Sequence, residues 1–254
     1  MTLEIRNLCF SYRDHQVLRG VDLTVGEGEM VALLGKNGAG KTTLLRLIPG
    51  FLRAGSGDIL IDGTPVGEMK LRDRARLMAY IPQITRSAFP YSVRTSILMG
   101  CSNSLSLLQS PGKKEEEKVD RMIDLLKLHD IAGRNMDNIS GGERQLVLVA
   151  RAMMQDAKLL ILDEPTSFLD YSNQLLVLEK VSDLVKNGYS CIFSTHNPDQ
   201  ALMHSSRVVA MADGAVVHDG RPESLMGNDV LSKLYGRKIS VIRTETGRLA
   251  CIPE

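Results

Sequence analysis

Gly35-Lys36-Asn37-Gly38-Ala39-Gly40-Lys41-Thr42 is a complete G-x-x-x-x-G-K-[ST] run. It follows a short apolar stretch, EMVALLG (29–35), and leads into a helical one, KTTLLRLI (41–48). Strand, glycine loop and helix in that order are what phosphate binding requires. The glycines let backbone N–H groups curl around an anion, and the helix N-terminus adds partial positive charge. Lys41 is placed to reach the β- and γ-phosphates, and the Thr42 hydroxyl to bind Mg²⁺. Such a loop marks a nucleotide triphosphatase in a broad class that includes kinases, GTPases and motors, so the remaining residues must decide among them.

The rest of the chain reads as an α/β protein around that loop. Residues 1–34 read as strands, with Leu3 and Ile5 alternating with polar neighbours. GDILIDG (57–63) and LMAYIPQ (77–83) are further strands. From residue 86 helix signals dominate: Val119, Met122, Ile123 and Leu126 follow i, i+3, i+4, i+7 spacing, and a second helix spans about 141–155. Alternation returns with KLLILD (158–163), a helix over about 170–186, CIFST (191–195) and a hairpin turned by Asp213-Gly214. This order predicts a largely parallel sheet with helices on both faces. One domain of 254 residues results, with a core of 1–85 and 158–254 and an inserted helical subdomain over 86–157.

Composition excludes several classes. The net charge of +1 leaves no electrostatic footprint for nucleic acid. The cysteines, Cys9, Cys101, Cys191 and Cys251, form no CxxC pair and read as small hydrophobes in a reduced compartment. No signal peptide opens the chain, and no apolar run approaches the roughly 18 residues of a membrane span, so any membrane role is peripheral.

Two further motifs carry chemistry. Asp163 and Glu164 end a buried strand, where ligands bind in open α/β sheets. Asp163 is placed to hold Mg²⁺ or its waters, while Glu164, pointing the other way, can orient and deprotonate water. Ser140-Gly141-Gly142-Glu143 opens a helix with an S-x-x-E capping box. Its two glycines cost up to about 1 kcal/mol each relative to alanine in a helix. A ligand that must approach the backbone closely would explain that cost.

With these motifs in order, the chain resembles the ATP-binding subunits of ABC transporters over nearly its whole length. Ile139-Ser140-Gly141-Gly142-Glu143 is similar to the family's LSGGQ signature, with Ile for Leu and Glu for Gln. Gln83 resembles the glutamine loop, Ser167-Phe168-Leu169-Asp170 the D-loop with Phe where Ala is frequent, and His196 the switch histidine. The resemblance implies a P-loop NTPase (RecA-like) core with N-terminal antiparallel β strands and an inserted all-helical subdomain. It implies adenine stacking on Tyr12 and ATP phosphates held by Gly35, Asn37, Gly38, Ala39, Gly40, Lys41, Thr42 and Thr43. Thr42, Gln83 and Asp163 would hold Mg²⁺, and Glu164, His196 and Gln83 would be catalytic.

In that family two copies pair head to tail, so Ser140, Gly141 and Gly142 would serve the ATP of the second copy. The expected partners are that second copy, a polytopic membrane permease dimer and, indirectly, an extracytoplasmic substrate-binding protein, at the cytoplasmic face of the inner membrane. The permease contact is expected around Thr85–Tyr91. The stretches Pro90–Gly100, Ser194–Ala201 and Gly220–Val241 resemble ATPases that import iron siderophores, haem, cobalamin or molybdate. Rival readings are a soluble ABC ATPase of cofactor assembly and a chromosome or DNA-repair ATPase. The latter carries a long coiled coil between phosphate loop and signature, and no sustained heptads stand between Thr42 and Ser140.

Overall fold

The computed structural model describes residues 1–83, 91–103 and 110–254. Two long strands, β1 (Leu3–Tyr12) and β2 (His15–Val25), open the chain. β3 (Met30–Leu34) then runs into the glycine loop and helix α1 (Lys41–Leu47). β4 (Ser56–Ile61), β5 (Thr64–Pro65) and α2 (Leu71–Leu77) lead to β6 (Met78–Ile81). Three helices follow, α3 (Val93–Leu98), α4 (Lys113–Leu126) and α5 (Gly141–Met153). Alternation resumes with β7 (Leu159–Leu162), α6 (Tyr171–Lys186), β8 (Ser190–Thr195), α7 (Pro198–His204), β9 (Arg207–Ala212) and β10 (Ala215–Gly220). Helix α8 (Val230–Tyr235) and a hairpin of β11 (Ile239–Arg243) and β12 (Leu249–Pro253) complete it.

The central sheet has the order β10-β9-β3-β8-β7-β6. Its strands run parallel from β9 to β6, with β10 antiparallel at the edge. Strands buried on both faces are mostly apolar, with Ser190, Ser194 and Thr195 of β8 the buried polar exceptions in β3, β7 and β8, and successive residues divide between two cores. Met30, Ala32, Leu34, Leu160, Leu162, Cys191 and Phe193 join one cluster with α5, α6 and α7. Val31, Leu33, Leu159, Ile161 and Ile192 join the other.

On the second face the one helix expected there is joined by an antiparallel sheet. The other members of the second cluster come from α1 and from a four-stranded antiparallel sheet, β2-β1-β4-β5. β1 stays buried along ten residues only by changing parity: Leu3 and Ile5 face inward, then Leu8 and Phe10. The switch falls at Asn7, at a left-handed φ of 45°, where the register with β2 shifts, the signature of a β-bulge.

Between β6 and β7 the named elements are all helical, and an isolated bridge joins Ser92 to Asn135. α4 buries Val119, Ile123 and Leu126, the face its spacing predicts. Helices α2, α3, α7 and α8 went unread in the sequence because six or seven residues are too few for a 3.6-residue period to show. Among the described residues no helix is long and apolar enough to cross a membrane. All four cysteines are free, with Cys101 and Cys191 buried.

Candidate functional site

Four adjacent parallel strands end at one edge of the sheet, and each delivers a polar group there. β3 delivers the glycine loop, β8 Ser194 to His196, β7 Asp163 and Glu164, and β6 Gln83. Ligands bind at such an edge, outside the carboxyl ends of the strands.

Gly40 caps α1 with φ 98°, and a Cβ there would lie 2.8 Å from Leu18 Cδ2. No side chain fits, so the loop closes tightly and the helix starts at Lys41. The Lys41 side chain is 5% exposed. Its ammonium donates to the carbonyls of Gly35 at 2.7 Å and Lys36 at 3.1 Å, with Glu164 Oε1 at 3.9 Å. Burial lowers its pKa, and the nearby Glu164 and Asp163 carboxylates oppose that shift. A buried cation with partial compensation is poised to gain from an arriving anion.

Asp163 is the most buried charge in the site, at 2% exposure. Three hydroxyls satisfy its carboxylate. Thr42 Oγ1 and Ser194 Oγ each donate to Oδ1 at 2.9 Å, and Tyr80 OH donates to Oδ2 at 3.0 Å. Burial pushes the Tyr80 phenol up to about 12, so it remains a donor. The donor set around Thr42 and Asp163 is all oxygen, which suits a hard divalent cation held by one carboxylate and by ligand phosphates.

Glu164 does not simply alternate away from Asp163, because β7 has already ended at Leu162. Its backbone is left-handed at φ 46°, held by its N–H donating to Ser194 Oγ at 2.8 Å. Gln83 Nε2 donates to Glu164 Oε2 at 3.1 Å, Ser167 Oγ donates to it at 2.7 Å, and His196 Nδ1 lies 3.5 Å away. A left-handed non-glycine residue carries backbone strain, and such strain clusters at functional sites.

Two adjoining clefts share Asn37, Gln83 and Glu164. One, of about 420 Å³, is lined by Gly38, Gly40, Lys41, Thr42 and Thr43. The other, of about 310 Å³, is lined by Ser167, Phe168, His196 and Gln200. Gly35, below the loop, takes the Lys41 ammonium on its carbonyl, while Ala39 is buried under the loop. Tyr12 lines neither cleft. It packs edge-on against Phe10 at 4.7 Å, and its cross-strand partner His15 lines the phosphate-loop cleft instead.

Ser140, Gly141 and Gly142 also line neither cleft. Ser140 and Glu143 form the expected capping box: Ser140 N–H donates to Glu143 Oε2 at 2.7 Å, and Glu143 N–H to Ser140 Oγ at 3.2 Å. The glycines have a packing reason within the chain. A Cβ on Gly142 would lie 2.3 Å from Asn173 Oδ1 and 2.7 Å from Asn173 Cβ. Rotating the amide cannot relieve the second contact. Gly142→Ala should therefore lose about 1–2 kcal/mol of stability despite alanine's higher helix propensity, the usual scale of overpacking. Urea unfolding checks it, and a stability gain would show that α5 and α6 separate freely.

Several site residues carried no recognisable signal in the sequence. Ser194 links the two acidic residues. Gln200 accepts from Thr166 Oγ1 at 3.0 Å and Thr195 Oγ1 at 2.8 Å, and donates to Gln174 Oε1 at 3.0 Å. Tyr235 OH holds the His196 carbonyl at 2.8 Å. Strand-end serines and surface glutamines are common, so only the fold could single these out. The expected partner contact over 85–91 lies outside the described residues except for Tyr91.

Residues 18–167 match the family model "ABC transporter". An ABC transporter ATP-binding protein of Haemophilus influenzae is 37% identical over 92% of this chain and 89% of its own length. An iron chelatin transport ATP-binding protein of Helicobacter pylori is 33% identical over 95% of this chain and 96% of its own. A solved structure described as an inward-facing conformation of a metal-chelate type ABC transporter has a TM-score of 0.87. It is 28% identical, covering 100% of this chain and 97% of that one.

Proposed function

This chain belongs to the ABC transporter family of ATPases, and on that premise we propose that it drives uptake of a metal chelate through a separate membrane permease. The cargo class comes from the Helicobacter pylori relative and the metal-chelate type structure, supported by the three segments noted in the sequence. The observation that carries the hydrolytic reading is the placing of Glu164. Its carboxylate is oriented by Gln83 and Ser167, faces Lys41, and adjoins His196.

Glu164 takes the proton of the attacking water, a role that needs a positioned carboxylate within hydrogen-bond reach. Lys41 and the loop amides hold the phosphates, and His196 lies on the far side of Glu164. Thr42, Asp163 and Gln83 would hold Mg²⁺, which would offset phosphate charge. Ser140, Gly141 and Gly142 act on the nucleotide of a second copy, with Asp170 near the boundary between copies. Residues 86–157 form the subdomain that moves against the core, with Gln83 at its hinge. The membrane permease docks beside it, and an extracytoplasmic binding protein delivers the cargo. The working position is the cytoplasmic face of the membrane.

Reconstitution in vesicles with the membrane permease that co-purifies with the chain tests this reading. The expected result is ATP-dependent accumulation of a radiolabelled ferric siderophore. Accumulation of a sugar or amino acid with no chelate uptake would overturn the cargo. ATP turnover in the assembled vesicles with no solute accumulated would overturn transport itself.

Lys41→Ala should weaken ATP binding by roughly 10- to 100-fold, the worth of the charge-assisted hydrogen bonds it removes. Calorimetry reads this directly, and unchanged affinity would exclude Lys41 from the phosphate site.

A further inference from the structure

Glu164 and His196 follow the ends of two neighbouring strands, β7 and β8, and a pair of side-chain amides stands behind them. Gln200, on α7, accepts at Oε1 from Thr166 Oγ1 at 3.0 Å and from Thr195 Oγ1 at 2.8 Å. Its Nε2 donates to Gln174 Oε1 at 3.0 Å. Gln174, on α6, donates in turn from Nε2 to the Leu169 carbonyl at 2.9 Å. Leu169 N–H returns to the Thr166 carbonyl at 3.3 Å. One amide therefore grips the first residue of the loop 166–169, the other grips the last, and the two are bonded to each other. Only an amide can do this, because it accepts and donates from one planar group.

The loop so held is strained. Phe168, near its tip, has a left-handed φ of 65° and is 83% exposed, so packing of its ring does little to hold that backbone. A non-glycine residue keeps such a conformation only where its surroundings over-determine it. The bonds at the two ends of the loop supply that constraint.

Both reacting-site residues depend on what the amides grip. Ser167, inside the loop, donates to Glu164 Oε2 at 2.7 Å. Thr195 Oγ1 gives its proton to Gln200 and accepts the Asn197 N–H at 3.0 Å, which brackets His196 in a turn. Thr166 and Thr195 are buried, so their hydroxyls have no bulk water to turn to instead. Neither amide hydrogen-bonds to the phosphate loop among the described residues.

We infer that Gln174 and Gln200 are positioning residues for hydrolysis: by closing the loop 166–169 between α6 and α7, the pair fixes Ser167 against Glu164 and fixes the turn that carries His196. The catalytic consequence rests on the ATPase reading; the clamp on the loop does not. Removing the pair should cost turnover and spare nucleotide binding.

The test compares Gln174→Leu, Gln200→Leu and the double variant in the full chain. Turnover should fall roughly tenfold in each single variant, the scale of a small misplacement near the chemistry, with ATP affinity by magnesium-free calorimetry kept within about twofold. Because the amides act through one shared hydrogen bond, the double variant should fall no further than the worse single one. A second readout needs no turnover. The chain has no tryptophan, so Phe168→Trp places a single fluorophore in the loop. Its anisotropy decay should gain a fast component when either amide is replaced in that background. Unchanged turnover, an affinity loss that matches the turnover loss, losses that multiply in the double variant, or an anisotropy decay indifferent to the amides would each overturn the proposal. Should Gln200→Leu fail to fold by circular dichroism, Gln174→Met alone serves with the same readouts, since it frees the Leu169 carbonyl and leaves both threonines on Gln200. A chain with no turnover before any substitution would sink the ATPase reading instead, and the anisotropy decay would still judge the clamp.

Discussion

Glu164→Gln should leave ATP binding intact and slow hydrolysis by roughly 10²- to 10⁴-fold, the usual contribution of a general base. The substitution keeps the shape of the side chain. Its amide oxygen can still accept from Gln83 Nε2 and Ser167 Oγ, which hold the native carboxylate at 3.1 and 2.7 Å. What disappears is the basic oxygen and one negative charge 3.9 Å from the Lys41 ammonium. Removing that charge should favour the anionic phosphates in the ground state. Binding and turnover are therefore expected to separate, and trapped ATP should hold two copies together. Turnover assays and sedimentation with and without ATP read both effects. Near-normal turnover would assign the base elsewhere, and Asp163 would be a poor substitute because three hydroxyls already engage its carboxylate.

The parts of the fold that were legible are those where one physical demand dominates. β3, β7 and β8 are buried on both faces, so their sequences are apolar runs, and the glycine loop follows the first of them because a phosphate must meet backbone there. α4 was legible because its fourteen residues show a full amphipathic period. What covers the second face of the sheet was not legible. Residues 1–34 and 57–63 read as strands, but nothing in their alternation says which face of which sheet they bury against, and the Asn7 bulge breaks the alternation within β1.

The candidate site divides the same way. Lys41, Thr42, Asp163 and Glu164 stand in motifs whose spacing follows from strand geometry, and the structure brings them into one cluster. Ser194 does as much for that cluster as any of them, accepting from the Glu164 amide and donating to Asp163, yet a serine near a strand end carries no signal. Gly142 shows the reverse case. Its cost within a helix suggested a ligand close to the backbone, and Asn173 already occupies the space a side chain would need. The packing reason and the ligand reason are compatible, because the amides at the start of α5 are not consumed by the Asn173 contact. The glycines alone therefore no longer argue for the ligand, and a direct test is needed.

That test is complementation between two inactive chains. Ser140→Arg leaves Lys41, Glu164 and both clefts untouched, since Ser140 lines neither of them. It removes a helix cap, worth about 1 kcal/mol, which is too little to unfold a domain of this size. Lys41→Ala leaves the start of α5 untouched. Each variant alone should be inactive if every site needs a phosphate loop from one copy and Ser140 from the other. Two copies related by a two-fold axis present two equivalent interfaces. In a mixed dimer one interface joins both damaged elements, and the other joins an intact phosphate loop to an intact α5 start. Equimolar mixing should therefore restore ATP turnover from two preparations that have none. Were Ser140 to act within its own chain, neither protomer would hold a complete site and mixing would restore nothing. The readout is turnover against mixing ratio, with the mixed dimer verified by tags of different mass. No recovery from a verified mixed dimer would rule out sites shared between copies, and would leave Gly142 explained by Asn173 alone.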